Sequence, residues 1–76
     1  MKPANFKDKN GKYVSAFAIE CEIDFTREQY EAKRKSSNIE LADFDDFLEN
    51  VVLETKDGNG TIEDAIFIAD DAFIKF

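Results

Sequence analysis

Histidine and tryptophan are absent from the 76-residue sequence, which also has one cysteine, one proline and three glycines. Without histidine there is no Ser-His or Cys-His couple for nucleophilic catalysis and no imidazole ligand for a metal ion. Cys21 has no second cysteine for an intramolecular disulfide, and no basic cluster adjoins it to activate its thiol. Carboxylate pairs remain, but acid–base catalysis requires a desolvated cleft, for which so short a chain has little room. We therefore predict a protein that is not an enzyme and has no cofactor or metal.

Long apolar runs are also missing, since none approaches the roughly 20 residues of a membrane-spanning helix. The first residues lack the apolar segment of a secretory signal peptide. The glycines match neither the G-x-G-x-x-G pattern nor the P-loop. These absences predict a cytoplasmic protein with no membrane association and no glycine-rich phosphate site.

One segment has a limited resemblance to a metal-binding loop. Residues 57–62, DGNGTI, resemble the middle of an EF-hand calcium loop. In that alignment Thr55 replaces the first acidic ligand, and Ile66 replaces the bidentate glutamate at the last position. The segment is therefore expected to be a glycine-rich turn.

Large apolar side chains are abundant, with eight phenylalanines and seven isoleucines. A domain of this size buries only about 60% of the surface that its unfolded chain exposes, so its core must be dense. These side chains can supply such a core without a disulfide. The sequence predicts one domain over residues 1–76.

The segment from Tyr13 to Phe25 alternates apolar and other residues, which predicts a long central β-strand. Its odd-numbered residues, beginning with Tyr13, form the predicted buried face. The core-facing residues expected under the helices are Phe6, Phe17, Ile19, Cys21 and Ile23. Asn10-Gly11 before it predicts a hairpin with a two-residue type I′ turn, because that turn needs positive φ at both central residues. The resulting register places Lys9 opposite Lys12 and Phe6 opposite Ser15.

A helix is predicted from about Arg27 to Ser36. Thr26 and Gln29 form a capping-box pattern, and Phe25 and Tyr30 have the spacing of a hydrophobic staple. The helix has few apolar residues, so we expect it on the surface with Glu31 and Lys35 paired.

A second helix is indicated by the helical spacing of Leu41, Phe44, Leu48 and Val51, and its start is either Ser37 or Asp43. Residues 51–55 are either its last turns or a strand leading into a second hairpin at Asn59-Gly60. The β-branched valines and the Asn-Gly pair favour the strand. Further short strands are predicted at residues 65–69 and 72–76.

The elements together predict an α+β fold of about four or five antiparallel strands with two helices packed on one face of the sheet. The predicted order is ββαα followed by a β-hairpin or meander.

Charge gives the strongest indication of function. The net charge is −7, and residues 38–76 contain eleven carboxylates against two lysines. Such a surface repels nucleic acid and anionic lipid and attracts basic proteins. The predicted contact residues are the carboxylates of the central strand and of the second helix: Glu20, Glu22, Asp24, Asp43, Asp45, Asp46 and Glu49.

Rows of carboxylates at strand or helix spacing can imitate the phosphates of a nucleic acid. The sequence therefore predicts a small acidic protein that acts by protein–protein interaction. Its most specific form is a phage-type inhibitor that blocks a basic, nucleic-acid-binding partner and does not itself bind nucleic acid. The simpler alternative is that the carboxylates lie on ordinary solvated faces and do not converge.

A second function class is a structural or assembly subunit. The other face of the predicted central strand begins with Val14, Ala16 and Ala18, a strip of small apolar residues. That strip, or an unpaired sheet edge, is the predicted surface for self-association, for example as a homodimer.

Overall fold

The computed structural model describes residues 5–58 and 60–75 of the chain. In this part, an antiparallel hairpin of β1 (Asn5–Lys7) and β2 (Tyr13–Ser15) precedes four helices: α1 (Ala16–Glu20), α2 (Arg27–Ser36), α3 (Phe44–Asp57) and α4 (Ile62–Lys75). The fold is mostly helical with a two-stranded sheet, so the predicted sheet of four or five strands with two helices is wrong. No helix within the described ranges has the length and apolarity needed to cross a membrane.

The hairpin is present, but its register differs from the prediction by one residue. Phe6 lies opposite Val14, and Asn5 lies opposite Ser15. The turn has one more residue than predicted, since Gly11 N–H donates to the Asp8 carbonyl at 2.9 Å and only Gly11 has positive φ, at 81°. A shift of one residue exchanges the two faces of a strand. Val14 is therefore fully buried, while the side chain predicted to face inward, Tyr13, is 60% exposed.

The predicted central strand ends after three residues because Ser15 caps a helix. The Ser15 Oγ accepts a hydrogen bond from Ala18 N–H at 3.1 Å, which satisfies a free donor of α1. Of the predicted buried face, Ile19 is buried and Phe6 and Ile23 are partly buried, whereas Phe17 and Cys21 are exposed.

Because the strand ends at Ser15 and α1 follows, the predicted self-association strip does not form. Val14 is buried in the core, and Ala16 and Ala18 are partly buried against it. The three residues belong to two different elements and do not form a flat exposed surface.

Helix α2 has the predicted bounds, and its capping box is confirmed. Thr26 Oγ1 accepts from Gln29 N–H at 3.1 Å, and the Gln29 side chain accepts from Thr26 N–H at 2.8 Å. The rings of Phe25 and Tyr30 are stacked with centroids 6.4 Å apart, in agreement with the predicted staple. Glu31 forms its ion pair with Arg34 at 2.6 Å instead of the predicted pair with Lys35.

Helix α3 begins after Asp43, whose carboxylate accepts from Asp46 N–H at 2.9 Å, so the second of the two predicted starts is right. The helix continues to Asp57, and the strand predicted at residues 51–55 is wrong. Val51 and Val52 are both buried on the helix face that packs inward. Burial of this face outweighs the modest helix penalty of β-branched residues.

Helix α4 replaces both short strands predicted in the last part of the chain. Asn59 of the predicted second hairpin turn and Phe76 of the predicted final strand lie outside the described residues. Thr61 and Asp64 exchange side-chain to backbone hydrogen bonds of 3.3 Å at its start. Ala65 and Ala69 are completely buried, which lets α4 pack closely against α3. The apolar run at residues 65–69 thus contributes the buried face of α4 and residues on either side of that face.

The core is organised around Phe25, which lies in the turn between α1 and α2. Its ring is parallel to that of Phe73 with centroids 4.0 Å apart, and it meets Phe44 edge to face at 6.3 Å. Phe47 and Tyr30 complete this aromatic cluster. One residue of the turn therefore contacts α2, α3 and α4, which fixes the position of the acidic residues beside it.

Candidate partner-binding surface

The seven carboxylates of the predicted contact surface lie in three places. Glu20 is the last residue of α1, and Glu22 and Asp24 lie in the turn between α1 and α2. Asp43 caps α3, and Asp45, Asp46 and Glu49 lie in its first two turns. The first three carboxylates are therefore not on one strand face, although all seven are exposed except the half-buried Glu49.

Arg27 brings two of these places together. Its Nη2 atom lies 2.8 Å from Asp45 Oδ1 and 3.8 Å from Glu20 Oε1. The guanidinium also lies over the Phe44 ring, 4.8 Å from its centroid, which restricts its position. The hydrogen bond to Asp45 raises the pKa of Arg27, so the arginine remains a cation between the two carboxylates.

A shallow cleft beside Arg27 is bordered by further carboxylates. The cleft has a volume of about 340 Å³, with Ile23 and Phe25 among its lining residues. Its charged lining residues are Glu20, Asp24, Glu28 and Arg27. We call these four residues together with Asp45 the Arg27 cluster. In the described part of the chain, this cluster has four carboxylates and one cation.

Glu31 determines how α3 approaches this cluster. One carboxylate oxygen accepts from Arg34 Nη2 at 2.6 Å and Nε at 2.9 Å, and the other accepts from Phe44 N–H at 3.1 Å. The Arg34 hydrogen bond is the main cause of a lowered pKa of Glu31, so the bridge remains ionised near neutral pH. The first residue of α3 is thereby tied to α2, which places Asp45 next to Arg27.

The other predicted contact residues are not part of the cluster. Glu22 lines a different groove, together with Lys12 and Glu63. Asp43 and Asp46 form the cap of α3, where Asp43 accepts a backbone hydrogen bond. Glu49 follows Asp45 by four residues and lies on the same flank of α3.

Two members of the Arg27 cluster are absent from the predicted contact set, namely Arg27 and Glu28. In the sequence, Arg27 belongs to a basic stretch with Lys33, Arg34 and Lys35. Its position directly after the Thr26 cap indicated that it would lie at the start of a helix, beside the turn. Its contact with Asp45 has no signal in the sequence, because that contact depends on the packing of α2 against α3.

Among the described residues, no three His, Cys, Asp or Glu side chains are grouped so as to hold a metal ion. No known protein family, curated protein or solved structure matches this chain.

Proposed function

We propose that this chain is a small acidic binding protein that uses the Arg27 cluster to occupy the basic surface of a nucleic-acid-handling protein. The observation that carries the proposal is the meeting of Glu20 from α1 and Asp45 from α3 at one guanidinium. Asp24 and Glu28 border the same cleft. Carboxylates that are scattered in the sequence thus share one face of the protein.

The charge of the whole chain supports the same function. A net charge of −7 attracts a cationic partner over long range and increases its association rate at low salt. A surface that binds nucleic acid is adapted to closely spaced phosphates, and a group of carboxylates can take their place. The most specific form of the proposal is a phage-type inhibitor that acts without catalysis.

Cytoplasmic location is part of this proposal, because nucleic-acid-handling partners and an unpaired cysteine both fit a reducing compartment. Self-association through Val14, Ala16 and Ala18 is not proposed, because Val14 is fully buried.

The test measures binding of a fluorescein-labelled octa-arginine peptide by anisotropy at two salt concentrations. The variant Glu20→Gln/Asp45→Asn removes two charges from the Arg27 cluster with little change in shape. The matched control, Glu54→Gln/Asp57→Asn, removes two charges from exposed positions near the end of α3. We expect the cluster variant to lose at least fivefold in affinity and the control to lose less than twofold.

Equal losses in the two variants would contradict the proposal, because they would mean that net charge alone attracts the peptide. Affinity that does not change between low and high salt would also contradict it. Circular dichroism melting of each variant establishes that the comparison is between folded proteins.

A further inference from the structure

One face of α4 exposes two large apolar side chains that alternate with carboxylates. Glu63, Phe67, Asp70 and Ile74 follow one another at intervals of four, three and four residues, which places them along one side of the helix. Phe67 is 70% exposed and Ile74 is 75% exposed. Phe67 and Ile74 therefore present apolar side chains to solvent on the same side of α4 as Glu63 and Asp70.

Two hollows adjoin this face, one near each end of α4. The N-terminal hollow has a volume of about 570 Å³. Its lining comprises four apolar or weakly polar side chains and three charged ones: Tyr13, Ala18, Cys21, Ile62, Lys12, Glu22 and Glu63. The C-terminal hollow is smaller, about 240 Å³, and its lining combines Phe25, Phe73 and Ile74 with Asp24, Gln29 and Asp70.

The two hollows repeat the same chemistry. Each joins an apolar floor to two carboxylates, one from the turn between α1 and α2 and one from α4. In the C-terminal hollow these two residues, Asp24 and Asp70, are in contact, since Asp70 Oδ1 accepts a hydrogen bond from Asp24 N–H at 3.1 Å. Glu63 and Asp70 are seven residues apart, which corresponds to about 10.5 Å along the helix axis.

We propose that this face of α4 binds a basic amphipathic helix of a partner protein. A helix lying along α4 has Lys or Arg side chains at positions i and i+7 about 10.5 Å apart, which matches the separation of Glu63 and Asp70. Apolar side chains at i+3 and i+4 of that helix then contact Phe67. As in other complexes with amphipathic helices, the anchors of the partner lie at helical spacing.

Charge complementarity favours a basic helix over a second copy of this chain or an anionic membrane. The two hollows are lined by four carboxylates, and Lys12 is the one cation among their lining residues in the described part of the chain. A second copy of this chain has a net charge of −7 and meets this face with like charge. An anionic membrane is repelled for the same reason.

The surface is distinct from the Arg27 cluster, although Asp24 borders both. Phe67, Ile74, Glu63 and Asp70 are not members of that cluster, and Glu20 and Asp45 do not line either hollow. The inference therefore stands independently of the function proposed above, and different variants test the two.

The probe is a fluorescein-labelled, helix-forming peptide with lysines at i and i+7 and leucines at i+3 and i+4. A second peptide of the same composition has its lysines moved to i and i+5, where they no longer share a face. We expect the first peptide to bind at least tenfold more tightly than the second. Anisotropy gives both affinities.

The variants Phe67→Ala and Ile74→Ala locate the site. Both residues are exposed, so we expect unchanged melting and at least a fivefold loss of affinity for the first peptide. The control is Leu53→Ala, which removes another exposed apolar side chain, on α3, and is expected to change the affinity by less than twofold. Glu20→Gln/Asp45→Asn is also expected to leave this affinity within twofold, so that the two proposals fail separately.

Four results would overturn the inference. The first is equal affinity for the two peptides, and the second is an equal loss in Leu53→Ala and Phe67→Ala. The third is a dimer of the wild-type chain in sedimentation equilibrium that Phe67→Ala converts to monomer, because the face would then bind a second copy. Binding to anionic vesicles that depends on Phe67 would assign the face to a membrane instead.

Discussion

The carboxylate of Asp8 accepts a hydrogen bond from Ile62 N–H at 3.1 Å, which joins the hairpin turn to the first residue of α4 across 54 positions of sequence. The same carboxylate accepts from the N–H groups of Asn10 and Lys12, each at 2.9 Å. It is 7% exposed, so these donors take the place of water. Asp8 therefore closes the turn and caps a helix that comes much later in the chain.

The first prediction concerns this carboxylate. Burial raises the pKa of Asp8, but hydrogen bonds from Lys12, Ile62 and Asn10 outweigh burial and lower it overall. Because the folded-state pKa is lowered, the stabilisation is present above the unfolded pKa and is lost as pH falls through the folded value. We expect Asp8→Ala to lower the melting temperature by several degrees at pH 7, and the difference from wild type to shrink below about pH 4.

Thermal melts monitored by circular dichroism between pH 2 and 8 measure this difference. Lys9→Ala in the same turn is the control, since Lys9 is exposed. A constant difference across the whole pH range would show that Asp8 acts by packing and not through its charge.

The second prediction tests the aromatic cluster. Phe25→Ala removes a ring that is 6% exposed and stacked on Phe73, and we expect a loss of about 3–5 kcal/mol in the free energy of unfolding. Phe67→Ala makes the same chemical change at an exposed position and should cost less than about 0.5 kcal/mol. Urea denaturation measures both. Similar values for the two variants would mean that Phe25 is not a centre of the core.

The third prediction tests the hairpin register. Gly11 has φ of 81°, and an added Cβ meets no atom within 4 Å, so Gly11→Ala is opposed by backbone strain alone. We expect a loss of about 1 kcal/mol. Gly58 has φ of −91°, and Gly58→Ala brings its Cβ only into ordinary contact with carbonyl oxygens. If both substitutions had the same effect in urea denaturation, the turn would not have this conformation.

The fourth prediction concerns the charge of the Arg27 cluster. Arg27→Gln changes the net charge from −7 to −8 and leaves Glu20 and Asp45 without their shared cation. We expect octa-arginine to bind several-fold more tightly and the melting temperature to fall slightly, because exposed ion pairs contribute little stability. Lys35→Gln produces the same net charge at an exposed position of α2. An equal gain in Lys35→Gln would show that the cluster has no special part in binding.

The features that could be predicted from the sequence are those determined by neighbouring residues. Thr26 and Gln29 bond to each other's backbone within one helical turn, so α2 was predicted with the correct bounds. The hairpin was also predicted, but its register depended on the single extra turn residue that the Asp8 carboxylate stabilises.

The features that could not be predicted depend on packing between distant segments. Tyr13 to Phe25 alternates like a strand, but Ala16, Ile19 and Ile23 also have helical spacing, and packing on α3 and α4 decides between the two. The local preference of Val51 and Val52 is for a strand, but burial of both side chains against the rest of the protein stabilises a helix. The candidate site has the same limit, since composition predicts acidic surfaces but not which carboxylates meet at Arg27.

The two tyrosines lie in contrasting surroundings. Tyr30 is 1% exposed and donates its hydroxyl hydrogen to the Ala42 carbonyl at 2.6 Å, whereas Tyr13 is 60% exposed and lines the N-terminal hollow. Because tryptophan is absent, these two rings dominate the ultraviolet emission. Tyr30→Phe leaves a single tyrosine at the N-terminal hollow, and Tyr13→Phe leaves a single tyrosine in the core. The two variants thus provide separate optical reporters, one of changes at the N-terminal hollow and one of unfolding.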